Sequence, residues 1–501
     1  MKMKLTPTHE QQDILNAFKE HRILKVNACA GSGKSSTLKM LAEHNNQPSL
    51  YICYNKTVAT EAQNKFPKHV NCRTTHSLAY SVYGSMLQHK LSRAKGVGYV
   101  NVAKTVSEIV KYYRLEDMIP REGVAVTART IATLVKDTVN RFQNSMDEHI
   151  TVKNIPYKQM KEVLDTHPDI DESVLKDKVV RYANILWCDR INPNSVVMAE
   201  HDTYLKLWQL SKPQLPYDII YFDEAQDANP VMLDVIMSQK HCKIVYVGDS
   251  FQSIYQWRQA VNAMENIEAP TKVLSQSFRF GKDIAELATY IIDGQIHIKG
   301  TPNIKSSITQ VDTDNYTMVF RTNACLIDNA VRLLSAGKRV KCEIDTSKFE
   351  SLLKSVEALF TGDSKNVKDE DISLYGTWND LLEALDEHVE YKRIVNIVLG
   401  NQTQRYLSAL NKMKKQSSDF DILLITAHKS KGMEWDNVVV GDDFPIDTIL
   451  KLPHEKGYNQ QEINLFYVAC TRAKLNLQIP NEFEQVFNEA LDNYEEEDLD
   501  D

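Results

Sequence analysis

Residues Ala28–Ser35 have the composition and spacing of a loop that binds nucleotide phosphates. Its glycines let backbone N–H groups turn towards a phosphate, Lys34 can reach the β- and γ-phosphates, and the Ser35 hydroxyl can coordinate Mg²⁺. The apolar run Arg22–Val26 precedes this loop, and a helical pattern follows it. A strand, loop and helix in this order would place the phosphate at a helix N-terminus, whose partial positive charge favours anions. The sequence therefore predicts an ATP-binding loop.

Two adjacent acids, Asp223 and Glu224, follow the apolar run Ile219–Phe222. At a strand end, Asp223 could hold Mg²⁺ through its water shell, and Glu224 could polarise the water that attacks a γ-phosphate. An Asp-Glu pair alone is common and usually marks a solvated strand end. The longer string Asp223–Asp227, after a phosphate loop, is far more specific for hydrolysis of a nucleoside triphosphate.

A third segment, Val247–Arg258, could join the nucleotide site to a nucleic acid. Gln252 follows the apolar run Lys243–Val247, where a strand end could present it to a phosphate. Two aromatic rings and a guanidinium come next, in Tyr255, Trp257 and Arg258. Nucleic-acid bases stack on such rings for roughly 1–3 kcal/mol each, whatever the base sequence. The alternative for both rings is packing in a core.

Together these motifs resemble those of superfamily 1 helicases of the UvrD/Rep type. The chain is more similar still to the helicase core of F-box DNA helicases, without an F-box segment. The resemblance runs from about Leu5 to Lys474, nearly the whole chain. It rests on further motifs in the family's order, at Leu5–Gln12, Tyr54–Lys56, Arg73–Ser77, Gln276–Phe280, Thr426–Glu434 and Val468–Lys474. It implies an ATP-driven motor on single-stranded DNA, with ATP and Mg²⁺ as cofactors.

The resemblance also implies roles for individual residues. Gln11, with Gln12 as the alternative, would read adenine, and Phe278 would stack on it. The other implied ATP contacts are Ala30, Gly31, Ser32, Gly33, Lys34, Ser35 and Glu434. The implied catalytic residues are Glu224, Gln252 and the γ-phosphate arginines Arg279 and Arg472. Mg²⁺ would sit on Ser35 and Asp223. The implied DNA contacts are Asn55, Lys56, Thr75, His76, Tyr255, Trp257, Arg258 and His428. Singly, a histidine such as His76 is more often structural than a ligand.

Composition is that of a globular protein with more than one domain, at 501 residues, 43% hydrophobic and 25% charged. No apolar run approaches the roughly 18 residues of a membrane span. Residues Met1–Lys4 lack the apolar stretch of a secretory signal. The eight cysteines show no paired metal spacing, which suits a reducing compartment. We therefore expect a soluble protein of a bacterial or phage-infected cytosol, or of a nucleus.

The net charge of −8 is unusual for a DNA-binding protein, but most of it is local. The tail Glu495–Asp501 contributes six acids, so the rest of the chain nets about −2. A stepping motor needs a basic groove and a transient grip rather than a uniformly basic face. We expect the tail to be disordered and to aid solubility, with partner docking or DNA mimicry as the alternative.

The motif spacing predicts an α/β fold of two RecA-like P-loop NTPase lobes with mainly parallel sheets, each interrupted by a mostly helical insertion. Lobe 1 would comprise residues 1–80 and 200–272, and its insertion residues 81–199. Lobe 2 would comprise residues 273–343 and 418–484, and its short insertion residues 344–417. An acidic tail would occupy residues 485–501.

We therefore predict an ATP-dependent DNA helicase that acts as a monomer on single strands and on junctions of single- and double-stranded DNA, in replication, recombination or repair. The resemblance implies 3′→5′ movement. An alternative is a translocase that strips proteins, such as recombinase filaments, with little unwinding; the short second insertion favours keeping it. A single-strand-binding or recombinase protein would then be a partner. The third possibility, a non-motor ATP switch, is opposed by the two γ-phosphate arginines and by the strand contacts. No membrane partner is expected.

Overall fold

The computed structural model describes residues 6–53, 55–91, 102–120, 123–255, 262–369, 372, 375–383, 385, 389–415 and 419–500. The chain divides into two compact units. The first unit is Met1–Cys29 with Gly33–Leu274, and the second is Ala30–Ser32 with Ser275–Asp501.

A six-stranded parallel sheet forms the centre of the first unit, in the order β3-β2-β4-β5-β1-β6. Its strands are β1 Ile23–Ala28, β2 Ser49–Ile52, β3 Val70–Arg73, β4 Ile219–Phe222, β5 Lys243–Gly248 and β6 Thr271–Leu274. β2 and β4 are buried along their whole length, which is why they read as continuous apolar runs rather than as alternating patterns. Parallel pairing brings the carboxyl ends of these strands to one edge, where polar residues follow β1, β4 and β5.

The helices of the first unit begin with α1 His9–Glu20, α2 Lys34–Glu43, α3 Lys56–Lys65, α4 Thr75–Ala79, α5 Ser85–Leu87 and α6 Val106–Tyr113. They continue with α7 Ala128–Gln143, α8 Tyr157–Thr166, α9 Glu172–Ile191, α10 His201–Leu210, α11 Pro230–Met237 and α12 Ala263–Asn266. Helices α6–α9 share a hydrophobic core of their own, which includes Ile131, Phe142, Leu175 and Leu186. These helices form a packed layer around α7 and α9 within the first unit.

The second unit repeats the architecture with a second six-stranded parallel sheet, in the order β7-β12-β11-β8-β10-β9. Its strands are β7 Ser307–Ile308, β8 Tyr316–Phe320, β9 Val340–Cys342, β10 Ile422–Thr426, β11 Trp435–Val440 and β12 Ala473–Gln478. The first helices are α13 Lys282–Ile291, α14 Asn323–Ser335, α15 Ser347–Phe360, α16 Trp378–Glu383 and α17 Val389–Leu399. They are followed by α18 Thr403–Lys414, α19 Ala427–Ser430, α20 Ile446–Ile449, α21 Gln460–Cys470 and α22 Asn481–Asp500.

This unit has two hydrophobic cores, one at its sheet and one among the helices of residues 344–417. One lies against β8–β10 and includes Phe320, Leu326 and Leu424. The other joins α15 and α17 and includes Val356 and Val395. The predicted α/β fold, with two mainly parallel sheets, is confirmed.

One expectation about the chain was wrong. The acidic tail was expected to be disordered, but α22 extends over Asn481–Asp500. Phe483 and Phe487 are buried at the start of this helix and pack near the Tyr290 ring. This anchor explains why the helix forms, and the good helix formers Glu, Ala and Leu continue it. Among the described residues, every helix is too short or too polar to cross a bilayer.

Candidate active site

The loop between β1 and α2 presents a helix N-terminus to a possible phosphate. β1 ends at Ala28, and α2 begins at Lys34. Gly31 and Gly33 have φ of 74° and 79°, in the left-handed region that glycine adopts without steric cost. Gly33 is the N-cap of α2 and has no side chain to accept hydrogen bonds from the first N–H groups of the helix. These groups can therefore bind an anion.

Two acids at the carboxyl end of β4 lie close to the start of α2. Lys34 Nζ is 3.7 Å from Glu224 Oε2. The Tyr51 hydroxyl donates a hydrogen bond of 2.5 Å to Asp223 Oδ2. Burial raises the pKa of Asp223, and the neighbouring charge of Glu224 raises it further, whereas Lys34 lowers it. The site therefore gathers negative charge that a cation would stabilise.

The residues present fit a Mg²⁺ ion. Buried Asp223 supplies a carboxylate oxygen, the ligand type that Mg²⁺ prefers, and burial together with the charge of Glu224 raises its pKa, so a cation would favour its ionised form. Ser35 is the second residue of α2, directly after Lys34, so its hydroxyl belongs to the same helix terminus. Asp223 and Ser35 are the residues that would hold the ion.

Another acid, Asp249, follows β5 and is buried. Because β5 pairs in parallel with β4, with Phe222 opposite Tyr246, Asp249 and the acids after β4 lie at the same edge of the sheet. Asp249 Oδ2 accepts a hydrogen bond of 2.7 Å from Gln252 Nε2. Burial raises the pKa of Asp249, and Lys34 lowers it. The predicted phosphate sensor, Gln252, is thus buried and oriented by Asp249.

The predicted adenine reader, Gln11, is buried and ties α1 to α2. Its backbone N–H donates to Thr8 Oγ1 at 3.2 Å, and its Oε1 accepts from the Thr8 N–H at 3.0 Å, which completes a capping box. Its Nε2 donates to Thr37 Oγ1 at 3.1 Å. Gln12, the alternative, is exposed and bonds Asn16. Gln11 would therefore have to exchange hydrogen bonds to contact a base.

Four residues of the first unit that are predicted to contact DNA lie at the N-termini of α3 and α4. Asn55 caps α3, because its Oδ1 accepts from the Val58 N–H at 2.9 Å. Lys56 is exposed as the first residue of α3. Thr75 is buried at the start of α4, and His76 Nε2 lies 3.3 Å from Asp202 Oδ1.

A cavity of about 600 Å³ connects part of this set to the acids of β4. Thr75, His76 and Tyr255 line it, as do Asp223 and Glu224. Asn140 and Asn144 of α7 and its following loop also line it, so the helical insertion contributes to this cavity. The predicted contacts Trp257 and Arg258 lie outside the described residues.

In the second unit, Arg279 is brought together with Glu434 and with the segment that contains Arg472. Arg279 Nε donates to Glu434 Oε2 at 2.8 Å, and its NH1 donates to the Thr471 carbonyl at 2.8 Å. Arg472 is 1% exposed. Its guanidinium donates to Val468 O at 2.7 Å, to Met433 O at 3.1 Å and to Thr471 Oγ1 at 3.0 Å.

The other two predicted residues of this unit differ in exposure. The Phe278 ring, predicted to stack on adenine, is 50% exposed, an unusual state for a large aromatic side chain. His428 lies half-buried in the short helix α19, directly after β10.

Comparison with known proteins identifies the family of this chain. Residues 8–272, just over half of the chain, match the family described as UvrD/REP helicase N-terminal domain. The chain belongs to the UvrD/REP helicase family. The resemblance predicted from the motifs is thereby confirmed. The matched segment contains the phosphate loop, both acids of β4 and the turn after β5.

Individual members of the UvrD/REP family extend the similarity beyond that segment. F-box DNA helicase protein 1 of Schizosaccharomyces pombe is 31% identical, over 94% of this chain and 57% of its own length. F-box DNA helicase 1 of Gallus gallus is 30% identical, over 93% of this chain and 48% of its own length. A probable DNA helicase II homolog of Mycoplasma pneumoniae is 22% identical, over 58% of this chain and 56% of its own length. The chain spans about half the length of the curated relatives that it matches.

Three residues of this candidate site were not predicted from the sequence: Tyr51, Gln226 and Asp249. Gln226 and Asp249 lie inside the motifs that pointed to the site, within three residues of predicted members, and that position was the available signal. Tyr51 gave no signal, because its partner Asp223 is 172 residues away.

Proposed function

We propose that this chain is an ATP-dependent DNA motor, which hydrolyses ATP with Mg²⁺ and uses the cycle to move along single-stranded DNA and unwind duplex. The observation that carries the proposal is the 3.7 Å approach of Lys34 Nζ to Glu224 Oε2, at the junction of a strand end and a glycine-initiated helix. That arrangement supplies a phosphate contact and a base for the attacking water. The relatives' names, which include DNA helicases, support DNA as the substrate.

In this mechanism the loop backbone from Ala30 to Gly33 and the N-terminus of α2 bind the phosphates. Lys34 neutralises the β- and γ-phosphates, and the Glu224 carboxylate orients the attacking water and accepts its proton. Asp223 and Ser35 would hold Mg²⁺, which would supply positive charge to neutralise the phosphates. Asp249 keeps the Gln252 amide at the strand edge, where it senses the γ-phosphate.

The second unit contributes positive charge and an exposed ring. Arg279 and Arg472 stabilise the charge that develops on the γ-phosphoryl group, and Phe278 stacks on adenine. Glu434 contacts the nucleotide or orients Arg279, to which it is bonded at 2.8 Å. Gln11 reads the adenine edge from the first unit.

DNA contacts complete the proposal. Asn55, Lys56, Thr75 and His76 bind the strand at the starts of α3 and α4, and His428 binds it from α19. Tyr255, with Trp257 and Arg258, stacks on bases. Movement is 3′→5′, by a monomer, in replication, recombination or repair. A single-strand-binding or recombinase protein is the proposed partner.

One set of assays tests this proposal. ATP hydrolysis is measured with and without single-stranded DNA and Mg²⁺, beside strand displacement on duplexes with a 3′ or a 5′ tail and removal of a recombinase filament from a single strand. We expect DNA-stimulated hydrolysis and displacement from the 3′ tail. Filament removal without displacement would replace unwinding by protein stripping. ATP binding without hydrolysis would reject the motor and leave a nucleotide-dependent switch.

A further inference from the structure

The backbone at Glu224 is held in a conformation that its residue type disfavours. Glu224 has φ of 53° and ψ of 41°, in the left-handed region, where a residue with a Cβ is strained. Its N–H donates to Asp223 Oδ1 at 2.9 Å, and this hydrogen bond holds the backbone of Glu224 in place. The side chain needs its own restraint, because a carboxylate that orients water must be held in one rotamer.

Gln226 provides such a restraint. It is 0% exposed, and its Nε2 donates to Glu224 Oε2 at 2.6 Å. A hydrogen bond to a charged acceptor is roughly twice as strong as one between neutral groups, so this contact fixes the carboxylate and lowers the mobility of its oxygens. The same oxygen, Glu224 Oε2, faces Lys34 Nζ at 3.7 Å.

The other end of the Gln226 amide is bonded to the segment after β5. Its Oε1 accepts from the Asp249 N–H at 3.1 Å, and its backbone carbonyl accepts from Ser253 Oγ at 3.3 Å. Asp249 in turn orients Gln252. A single buried side chain therefore joins the carboxylate at the end of β4 to the turn that carries the phosphate sensor.

Gly248 provides the space for this amide. A Cβ at position 248 would lie 2.4 Å from Gln226 Oε1 and 3.1 Å from the Gln226 backbone nitrogen. Gly248 has no positive φ, so its use here is close approach rather than backbone freedom. The geometry of β5 is thus adapted to the Gln226 side chain.

We infer that Gln226 is a positioning residue, which holds the Glu224 carboxylate for attack on ATP and couples it to the Asp249–Tyr255 segment. The inference rests on the proposed ATP hydrolysis. Tyr255 belongs to this segment and lines the same cavity as Glu224. A strand seated at Tyr255 that shifts the turn would move Asp249, and through the Gln226 amide it would reorient Glu224. Gln226 thereby links strand binding to turnover.

The test compares Gln226→Met with the parent protein and with Gln239→Met. Gln239 is a matched control, because it is a 1% exposed glutamine of the same unit, bonded to Pro213 O, Val235 O and the Leu215 N–H. Loss of a hydrogen bond to a charged group corresponds to roughly a tenfold to hundredfold change. We expect Gln226→Met to lower kcat by that factor, with KM for ATP within about twofold, and to lose most of the stimulation by single-stranded DNA. Gln239→Met should lose thermal stability and keep kcat.

A double-mutant cycle and an isosteric variant complete the design. In a Glu224→Gln background, Gln226→Met should have little further effect on kcat, since the carboxylate that it positions is gone. Gln226→Glu keeps the shape and the acceptor for the Asp249 N–H but loses the donor, so it too should lower kcat, and it serves if the methionine variant does not fold. A folded Gln226 variant with kcat and DNA stimulation within about twofold of an active parent would overturn the inference alone. A parent without DNA-stimulated hydrolysis would overturn the proposed function as well.

Discussion

The charged residues of the two units are balanced in different ways. In the first unit, Asp223, Glu224 and Asp249 lie at one sheet edge, where Lys34 interacts electrostatically with all three. Burial raises the pKa of Asp223 and of Asp249. Protein contacts alone therefore leave the ionised acids costly, and a bound cation would relieve that cost.

In the second unit, the protein itself satisfies the arginines. Arg279 is bonded to the Glu434 carboxylate and to a backbone carbonyl. Arg472 donates to two carbonyls and a hydroxyl while almost fully buried. If the proposed roles hold, removal of an acid from the first unit should cost turnover but not stability, whereas removal of Arg472 should cost both.

The largest expected effect concerns the two arginines. Arg279→Ala and Arg472→Ala should each lower DNA-saturated kcat by about 10³–10⁵, the range for arginine fingers, with a much smaller change in nucleotide affinity. The comparison separates them by stability. Arg472→Ala leaves buried acceptors without a donor and should lower the melting temperature clearly, whereas Arg279→Ala should lower it less.

Kinetics and thermal denaturation of both variants check this expectation. Arg339→Ala is the control within the unit, because Arg339 is exposed and pairs with Asp419 and Asp421. It should change neither quantity much. An arginine whose removal leaves hydrolysis within about twofold of the parent is not a finger.

Glu224→Gln should lower kcat by about 10²–10⁴ and preserve ATP and DNA binding, because it removes the base and retains the phosphate contacts. Its melting temperature should be unchanged or higher, since it removes a negative charge from a group of acids. Glu462→Gln is the control in the second unit, where Glu462 pairs with Arg321 at 2.7 Å. That change should cost stability and leave turnover nearly intact. Near-normal hydrolysis by Glu224→Gln would reject its role.

Short sequence motifs predicted much of the fold and of the candidate site. The phosphate loop and the acids after β4 each follow an apolar strand, and parallel pairing places such strand ends together, so Lys34 and Glu224 could be expected to meet. Contacts across long sequence separations could not be expected. The Tyr51–Asp223 bond spans 172 residues, and the His76–Asp202 pair spans 126.

The C-terminal tail shows a second limit of prediction from sequence. The acidic composition of Glu495–Asp501 suggested disorder, but α22 begins earlier, at Asn481, where Phe483 and Phe487 are buried, and continues to Asp500. Burial depends on which surfaces other elements present, and composition alone contains no such information.

A pH experiment sharpens the comparison at Asp249. A buried acid whose pKa is raised in the folded state binds its proton more tightly there, so its contribution to stability is fully present at low pH and is lost as the pH rises through the raised pKa. Asp249→Asn should therefore flatten this slope and raise the melting temperature at neutral pH, without Mg²⁺ or nucleotide.

Asp421 is the matched control, because a hydrogen bond from Arg339 lowers the pKa of this partly exposed acid. A lowered pKa has the opposite sign: the stability that it contributes is present at neutral pH and is lost as pH falls. Asp421→Asn should thus cost a little stability at neutral pH, and that cost should disappear as the pH becomes acidic. Equal pH slopes for the parent and for Asp249→Asn would show that Asp249 is not a costly ionised group.

The smallest expected effect concerns adenine recognition, where the two units again differ. Phe278 is 50% exposed, so Phe278→Ala should leave the melting temperature nearly unchanged. A lost stacking contact of about 0.5–1.5 kcal/mol should raise KM for ATP roughly two- to tenfold, with kcat kept. Gln11→Ala removes a buried capping box and the bond to Thr37, so it should lower stability by about 1 kcal/mol as well as weakening the preference for ATP over GTP. KM for both nucleotides and thermal denaturation distinguish the two. If Gln11→Ala loses stability but discriminates ATP from GTP as the parent does, Gln11 ties α1 to α2 and does not read the base.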